Sequence, residues 1–307
     1  MDVLADLLTR ARARGALFAR STLRAPWGLE LEDRHVPLSV HAVLAGQLWA
    51  QVDGLAPQRF LQGDLFLVRS DAPYRFVHEP GAATRSLSDV LASGDGSRVH
   101  ALGGGGPETV LLCGAYTFEG FVCDGLLAAL PPVVALPAAD ASRGPLRTTV
   151  ALLADEIGHE SPGQQTVLDR LLDLVLVYAL RSWFSRPDSR APGWFKALDD
   201  PEIGPVIRAI HADPARSWTV AHLASDAGLS RATFARRFAT LTGGQPLAYL
   251  TGWRMTLARE ALLRPGSTLA QVALEVGYAS EFAFAAAFKR EVGEAPGRWR
   301  QARLVAA

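Results

Sequence analysis

Short apolar runs alternate with turn residues between residues 36 and 137. Gly, Pro and Asp separate the runs, and none of the runs continues with the period of a helix. They cover residues 38–44, 48–52, 59–61, 65–69, 74–77, 109–112 and 115–118. Closely spaced runs bounded by turn signals are typical of antiparallel strands. The pattern predicts a small antiparallel β-barrel or sandwich.

The hydrophobic period changes to that of helices after residue 143. Residues 146–159 and 164–184 carry apolar side chains at the i, i+3, i+4 and i+7 positions of amphipathic helices. The apolar face of the second segment is broad and leaves two alternatives. Part of it faces a second copy of the chain, or all of it is buried within one subunit. Residues 185–193 are rich in helix breakers and predict an interdomain linker.

Two similar helical units follow one another near the C-terminus. The helices of the first are predicted over residues 218–226 and 231–241, and those of the second over residues 269–275 and 281–292. Each turn contains a Gly, which the sharp angle between the helices requires, and a Ser that can cap the second helix. These residues are Gly228 with Ser230 and Gly277 with Ser280. The pattern predicts a helix-turn-helix unit twice, joined by a connecting helix over residues 246–263.

The second helix of a helix-turn-helix unit is the one that enters the major groove of duplex DNA. In the first unit its outward side chains are Arg231, Thr233, Arg236 and Arg237. Guanidinium groups at these positions match guanine edges and phosphates, and the alternative is a solvated basic face. In the second unit the polar candidates are Ser280, Glu281, Lys289 and Arg290. Two such helices on one domain predict contacts in successive major grooves on one side of the duplex.

Composition and charge agree with two domains, one of which meets a polyanion. The 307 residues are 49% hydrophobic and 20% charged, which suits two packed domains and excludes extensive disorder. No run approaches the about 18 apolar residues of a membrane helix, and residues 1–14 lack an apolar secretion core. We therefore expect a cytoplasmic protein without membrane contact. Residues 214–307 hold 12 Lys and Arg against 6 Asp and Glu, which favours a polyanionic partner.

The C-terminal part of the chain resembles the AraC/XylS family of bacterial transcription regulators. The resemblance rests on the segments VGYASEFAF (276–284), AFKREVG (287–293) and PGRWR (296–300). It implies double-stranded DNA as a partner, a homodimer and a contact with RNA polymerase. The second recognition helix has Ala283, Ala285 and Ala286 where relatives carry more polar side chains. We therefore expect the first helix to supply most of the specificity and the second to anchor the DNA backbone.

The N-terminal part is similar to the cupin-type sensor domains of such regulators, especially to the branch that includes a reactive-chlorine-responsive activator. The similarity rests on the segments VHAVLAG (40–46), GDLFLV (63–68), APYRF (72–76) and LLCGAY (111–116). It implies that a signal in this domain modulates DNA binding by the C-terminal domain. In related sensors a histidine often occupies the position of Tyr74.

These observations together predict an α+β chain in four parts. The parts are a cupin-like β-barrel sensor domain (1–140), a helical linker and dimerisation region (141–185), an interdomain linker (186–198) and an all-α DNA-binding domain with two helix-turn-helix units (199–303).

Two imidazoles and two thiols are the reactive side chains of the predicted sensor. The set suits Zn²⁺ or copper and consists of His41, His78, Cys113 and Cys123. Alternatively, Cys113 and Cys123 are the thiols of a redox switch; two cysteines cannot make a disulfide framework. The third interpretation is a purely structural one, with Cys113 buried in a strand and His41 hydrogen-bonded inside the barrel.

An enzyme is the competing class, because cupin barrels also host metal-dependent catalysts. Such an enzyme needs three or four ligands that face one cavity. Only His41 lies in the first cupin-like segment, and neither a His-x-His pair nor a Gly-x-Ser-x-Gly motif occurs. We therefore expect no catalysis. A further alternative is a constitutive DNA-binding protein with a degenerate sensor.

Overall fold

The chain folds as two units, one built around β-sheets and one mainly helical. The computed structural model describes residues 2–10, 14–31, 36–69, 72–92, 99–141, 144–159, 161–189 and 191–305. The β-unit comprises Arg12–Phe118 and Leu127–Arg190, and the helical unit comprises Met1–Ala11, Glu119–Leu126 and Ala191–Ala307. Two short segments of the predicted sensor domain therefore group with the C-terminal residues.

The strands and helices have the following bounds. The strands are β1 (Arg14–Arg24), β2 (Gly28–Leu31), β3 (Leu38–Ala45), β4 (Gln47–Val52), β5 (Gln58–Leu61), β6 (Leu65–Arg69), β7 (Tyr74–Val77), β8 (Arg85–Ser86), β9 (Val99–Gly103), β10 (Glu108–Thr117) and β11 (Val133–Leu136). The helices are α1 (Val3–Arg10), α2 (Leu87–Ala92), α3 (Asp124–Ala128), α4 (Ala138–Ala141), α5 (Pro145–Glu156), α6 (Gln164–Phe184), α7 (Gly193–Ala197), α8 (Ile203–Ala212), α9 (Val220–Asp226), α10 (Arg231–Thr242), α11 (Pro246–Leu263), α12 (Leu269–Glu275), α13 (Glu281–Val292) and α14 (Pro296–Val305). None of these described helices is both long enough and apolar enough to cross a membrane.

The β-unit contains two sheets. The six-stranded sheet has the order β11-β6-β3-β10-β1-β9, and the five-stranded sheet has the order β5-β4-β7-β2-β8. Neighbouring strands are antiparallel, except that β1 pairs with β9 and β2 with β8 in parallel. Within the described residues the strands form these two sheets and no closed ring. The predicted α+β class is confirmed, and the sandwich form of the prediction describes this unit.

Burial along the strands follows their positions in the sheets. β4 buries Leu48, Ala50 and Val52 and leaves the residues between them half-buried, which is the two-residue period of a strand with one covered face. β3 lies between β6 and β10 inside the six-stranded sheet, and its residues are buried from Leu38 to Val43. A strand that is covered on both faces loses the alternation of buried and exposed positions.

One face of helix α6 is buried within the β-unit. Its buried apolar residues are Leu168, Leu172, Val175, Leu176, Ala179, Leu180 and Phe184. The hydroxyl of Tyr116, near the end of β10, donates a hydrogen bond to the carbonyl oxygen of Leu172 at 2.9 Å. Val167 and Leu174 remain exposed on the same helix, and Leu152 remains exposed on α5. Most of the broad apolar face of α6 therefore packs inside one subunit, and an apolar strip stays outside.

Helices α9–α11 and α12–α14 repeat one arrangement in the helical unit. α10 and α13 each have 12 residues and begin after a serine whose side chain accepts a hydrogen bond from the backbone N–H three residues on. Both helices end at a glycine in the left-handed region, Gly243 with a φ of 79° and Gly293 with a φ of 91°. These caps satisfy backbone groups that helix ends leave unpaired. The predicted pair of helix-turn-helix units is confirmed.

Three aromatic side chains form the centre of each repeat. In the first, the ring centroids of Phe234 and Phe238 lie 5.6 Å apart, and Tyr249 packs against Phe238 at 5.7 Å. In the second, Phe284 and Phe288 are also 5.6 Å apart, and Trp299 packs against Phe288 at 5.7 Å. The four Phe side chains are fully buried. The duplication seen in the sequence therefore extends to the packing.

We expect Phe288→Ala to lower the free energy of unfolding of the helical unit by about 3–5 kcal/mol, as large core truncations do. The matched control is Phe282→Ala on the same helix, because the Phe282 side chain is exposed. Its effect should stay within about 0.5 kcal/mol. Urea unfolding followed by circular dichroism measures both changes, and equal losses in the two variants would contradict this packing.

Candidate nucleic-acid interface and internal cavity

Helix α10 presents two arginines to solvent. Arg231 and Arg236 are exposed, and neither side chain takes part in an ion pair or a hydrogen bond with another residue of the described chain. Thr233 is half-buried, and its hydroxyl accepts a hydrogen bond from the Ser230 hydroxyl at 2.9 Å. Exposed guanidinium groups without protein partners can bind phosphates or guanine edges.

Arg237 differs from the other predicted contact residues of α10. Its guanidinium donates a hydrogen bond to Oδ2 of Asp200 at 2.8 Å and lies 3.1 Å from Oε2 of Glu202. The same Asp200 accepts a hydrogen bond from the backbone N–H of Ile203, the first residue of α8. Arg237 thus links α10 to the start of α8. Its hydrogen-bonding groups have partners within the protein, so the predicted DNA contact of Arg237 would require these ion pairs to open.

The predicted polar contacts of α13 lie at its two ends. Ser280 caps the helix and Glu281 begins it, and both are exposed. Lys289 and Arg290 are exposed in the last turn, where Nε of Arg290 donates a hydrogen bond to Glu291 at 2.9 Å. The cationic groups of this helix are therefore confined to its C-terminal end.

The outward face of α13 is apolar between these ends; the sequence analysis identified its alanines but missed Phe282. Phe282 is 80% exposed, and Ala283 and Ala286 are also exposed. The signal was present in the sequence. Phe282 precedes the inward-facing Phe284 by two positions, and residues two apart on a helix point to different sides.

A connecting segment, residues 119–126, packs within the helical unit although it follows β10 directly along the chain. The ring centroid of Phe121 lies 5.2 Å from that of Trp299, and Oε1 of Glu260 accepts a hydrogen bond from the backbone N–H of Phe121 at 3.3 Å. Gly120 has a φ of 74°, and a Cβ there would lie 2.6 Å from Oε1 of Glu260. The positive φ favours glycine here, and a larger residue would also displace the Glu260 carboxylate; no sequence motif marks the contact.

A cavity of about 380 Å³ lies in the β-unit. Its walls come from both sheets, with β1, β3 and β10 on one side and β2 and β7 on the other. The lining is mainly apolar; it also carries the carboxylate of Glu30 and the hydroxyl groups of Ser21, Ser39, Tyr74, Ser86 and Ser88. No Lys or Arg belongs to the lining in the described part of the chain.

A histidine and a cysteine meet in the wall of this cavity. Nδ1 of His41 lies 3.2 Å from Sγ of Cys113, which pairs with it across β3 and β10, and Nε2 lies 3.4 Å from the hydroxyl of Tyr74. The imidazole ring stacks on Phe66 at 5.1 Å and meets the edge of Phe76 at 4.6 Å. Aromatic packing therefore fixes the ring, and both nitrogens have polar neighbours.

Known proteins resemble this chain in both of its parts. A cupin family matches residues 2–185, and a helix-turn-helix domain family matches residues 223–302. An AraC-like transcription regulator of Streptomyces lividans is 33% identical over 302 residues, which are 98% of each chain. The chain therefore belongs to the AraC-like transcription regulators. The resemblance found in the sequence is confirmed, and this regulator is not an enzyme.

Two further relatives extend the comparison of the regulator. The RCS-specific HTH-type transcriptional activator RclR of Escherichia coli strain K12 is 27% identical over 303 residues, which are 98% of each chain. A crystal structure of the DNA-binding domain of AdpA in complex with a target DNA is 34% identical, with a TM-score of 0.32. That match covers 34% of the regulator and 93% of the AdpA domain.

Burial keeps both members of the His41 and Cys113 pair of the regulator neutral. It lowers the pKa of His41 from 6.5 to about 3 and raises the pKa of Cys113 from 9.0 to about 12. At neutral pH the imidazole is therefore uncharged and the sulfur is a thiol. The pair can exchange hydrogen bonds with a neutral molecule, but it offers no charge.

The structure does not bring the four hypothetical metal ligands of the regulator together. Only His41 and Cys113 are in contact; Nδ1 of His78 lies 2.8 Å from the carbonyl oxygen of Trp27, and Cys123 belongs to the helical unit. The described residues contain no group of three or more His, Cys, Asp and Glu side chains that could hold a metal ion. Because a zinc site needs three or four protein ligands, the Zn²⁺ or copper hypothesis is not retained.

The burial of the two cysteines bears on the redox hypothesis for the regulator, which stays a prediction. Burial, followed by the carboxylates of Asp124 and Glu260, raises the pKa of Cys123 from 9.0 to about 12. Cys113 has an equally high pKa and belongs to the other unit. The thiolate is the form that reacts with oxidants, so burial slows the oxidation of both cysteines at neutral pH.

We expect the β-unit to lose stability as the pH falls from about 6.5 toward 3. In this window the unfolded chain takes up a proton on His41 and the folded chain does not, so stability rises with pH. Between pH 7.5 and 5.5 the contribution of His41 is a loss of about 1.4 kcal/mol. Urea unfolding at the two pH values measures it, with His41→Gln as the control that cannot titrate. Equal losses in the two proteins would show that His41 is not held neutral.

Proposed function

We propose that this regulator binds a small, neutral and mainly apolar effector in the cavity of its β-unit. Effector binding would change the affinity of its helical unit for duplex DNA. The observation that carries the proposal is the cavity itself. It has about 380 Å³, within the size range of small-molecule sites, and it places a few polar groups in an apolar wall.

The charge of the cavity wall selects the class of effector. No Lys or Arg lines the described part of the wall, His41 is neutral, and Glu30 contributes a carboxylate. An anion would therefore enter without a counter-charge and would be repelled by Glu30. Hydroxyl groups, the Cys113 thiol and the His41 imidazole can hydrogen-bond one or two polar atoms of a neutral ligand. A neutral molecule with a large apolar part fits these properties best.

Strand β10 is the element through which the signal would pass. Its residues Leu111, Cys113 and Ala115 line the cavity, and the next residue, Tyr116, holds α6 through the carbonyl of Leu172. The chain then leaves β10 and enters the connecting segment, which is anchored in the helical unit by Phe121. A shift of β10 on ligand binding would therefore act on both α6 and the helical unit.

The DNA contacts of the helical unit follow from the exposed groups of its two recognition helices. Arg231 and Arg236 would contact base edges or phosphates. Thr233 would stabilise the first turn of α10 through its hydrogen bond with Ser230. Ser280 and Glu281 would approach the duplex at the start of α13, and Lys289 and Arg290 would bind its backbone at the end. Because the partner is chromosomal DNA, the protein would work in the cytoplasm.

Assembly of the regulator would use the apolar strip on α5 and α6. Leu152, Val167 and Leu174 remain exposed there, and we propose that a second copy of the chain covers them in a homodimer. A contact with RNA polymerase, which the family resemblance implies, would complete the set of partners.

Arg236→Ala should weaken binding to a preferred site by about 1–3 kcal/mol and relax base preference at one position, because the lost group hydrogen-bonds a base edge. Arg290→Ala is the comparison, since Arg290 would bind a phosphate. It should weaken binding to all duplexes alike and reduce the slope of log affinity against log salt by about 1. Fluorescence anisotropy on preferred and scrambled duplexes measures both effects. If both variants lost affinity equally for preferred and scrambled duplexes, α10 would contact only the DNA backbone.

Ala115→Leu should abolish effector binding, because the leucine side chain would fill part of the cavity that Ala115 lines. As probes we choose 1-decanol and decanoate, which share an apolar chain and differ in charge. 1-Decanol should raise the thermal unfolding midpoint of the wild type more than decanoate does. The control is Ala56→Leu, the same change at an exposed residue between β4 and β5, which should keep the response. An equal response in Ala115→Leu, or a stronger response to decanoate, would contradict the proposed site.

Phe121→Ala should uncouple the effector from DNA. Removing the ring frees the connecting segment from Trp299, so the ratio of DNA affinities with and without 1-decanol should approach one. Phe121→Leu is the control, because it keeps an apolar side chain in the same place and should retain part of the ratio. Thermal shifts with 1-decanol should persist in both variants. An unchanged affinity ratio in Phe121→Ala would show that the connecting segment does not transmit the effect of the effector to the helical unit.

A further inference from the structure

The outward face of α13 is unusual for a helix that meets DNA. Phe282 exposes 80% of its surface, and its neighbours on that face, Ala283 and Ala286, carry no polar group. At the matching positions of α10 the first unit has Ala232, Thr233 and Arg236, so the exposed ring belongs to the second helix alone.

The packing of the helical unit does not use the Phe282 ring. Phe284 and Phe288 supply the core of the second repeat and are fully buried. The Phe282 ring makes no contact with another aromatic ring of the described chain. Exposing a side chain of this size to water is unfavourable, so a binding partner would gain the free energy of covering it.

The position of Phe282 on the helix indicates which partner covers it. Ser280 caps α13, which places Phe282 in the first turn, and the N-terminal residues of the second helix are those that reach base edges in this motif. Glu281 beside it repels phosphates, whereas Lys289 and Arg290 lie in the last turn. The first turn is therefore suited to the floor of the groove rather than to the DNA backbone.

We infer that Phe282 contacts the C5 methyl group of thymine in the major groove and makes α13 a helix that selects thymine. Thymine is the only base that presents a methyl group there, and a Phe side chain matches it without a hydrogen bond. Ala283 and Ala286 leave room for the ring and the methyl group. This inference rests on the proposed DNA contacts of the helical unit, and it replaces the expectation that α13 only anchors the DNA backbone.

The test begins by selecting preferred duplexes from a random pool with the full-length chain. Each thymine of the selected site is then replaced by deoxyuridine, which keeps the hydrogen bonds of thymine and lacks its methyl group. For the wild type, the substitution at one or two positions should weaken binding by about fourfold, the value of one buried methyl group. Phe282→Ala should bind the thymine and deoxyuridine duplexes with equal affinity at those positions.

Two control variants make the result specific. Leu274→Ala removes another exposed apolar side chain of the same unit, on α12, and should keep the fourfold discrimination. Phe282→Leu keeps an apolar group on α13 and should keep part of it. Because Phe282 and Leu274 are both exposed, unchanged thermal midpoints should confirm that the variants are folded.

The failures of the two proposals are distinguishable. If the wild type selects a sequence in which every thymine tolerates deoxyuridine, or if Phe282→Ala keeps the fourfold discrimination, this inference is wrong and the DNA-binding proposal stands. If the wild type enriches no sequence, both fail. Loss of dimerisation in Phe282→Ala, measured by sedimentation, would instead assign the ring to an interface between two copies and overturn the inference.

Discussion

The aromatic packing inside each helix-turn-helix unit is the constraint on which the DNA-facing surface of this regulator depends. Two Phe side chains four residues apart and a third aromatic residue occupy the centre of each repeat at nearly the same distances. A helix held this way along its inner side must present its remaining residues to solvent. The two repeats therefore share the same aromatic core but differ in the outward face of the second helix, which is basic on α10 and apolar on α13.

A second constraint links the two functions of the chain. Polar groups that are buried in the cavity wall between the two sheets need hydrogen-bonding partners. His41 and Cys113 are such partners for each other, and burial keeps both of them neutral. The strand that carries Cys113 also contacts α6 through Tyr116 and continues into the connecting segment. One element is thus shared by the cavity, the proposed dimer helix and the helical unit.

Much of this architecture was predictable because local patterns determine it. The bounds of α6, α11, α12 and α13 agree with the hydrophobic period and the capping residues. The strands β1, β2, β8, β9 and β11 were missed, and the charged and polar residues within β1 interrupt its apolar run. The metal hypothesis failed for a different reason: residue types can be counted along a chain, but which side chains meet is decided by strand register and by the connecting segment. Arg237 likewise gained a carboxylate partner from a different helix.

We propose that one helical unit places its two recognition helices in successive major grooves on the same side of duplex DNA. Methylation and deoxyuridine interference on a selected duplex, with the full-length regulator, tests it most directly. We expect two clusters of interfering major-groove positions per half-site, with centres about 10–10.5 base pairs apart. A single cluster, or two clusters on opposite sides of the duplex, would contradict it.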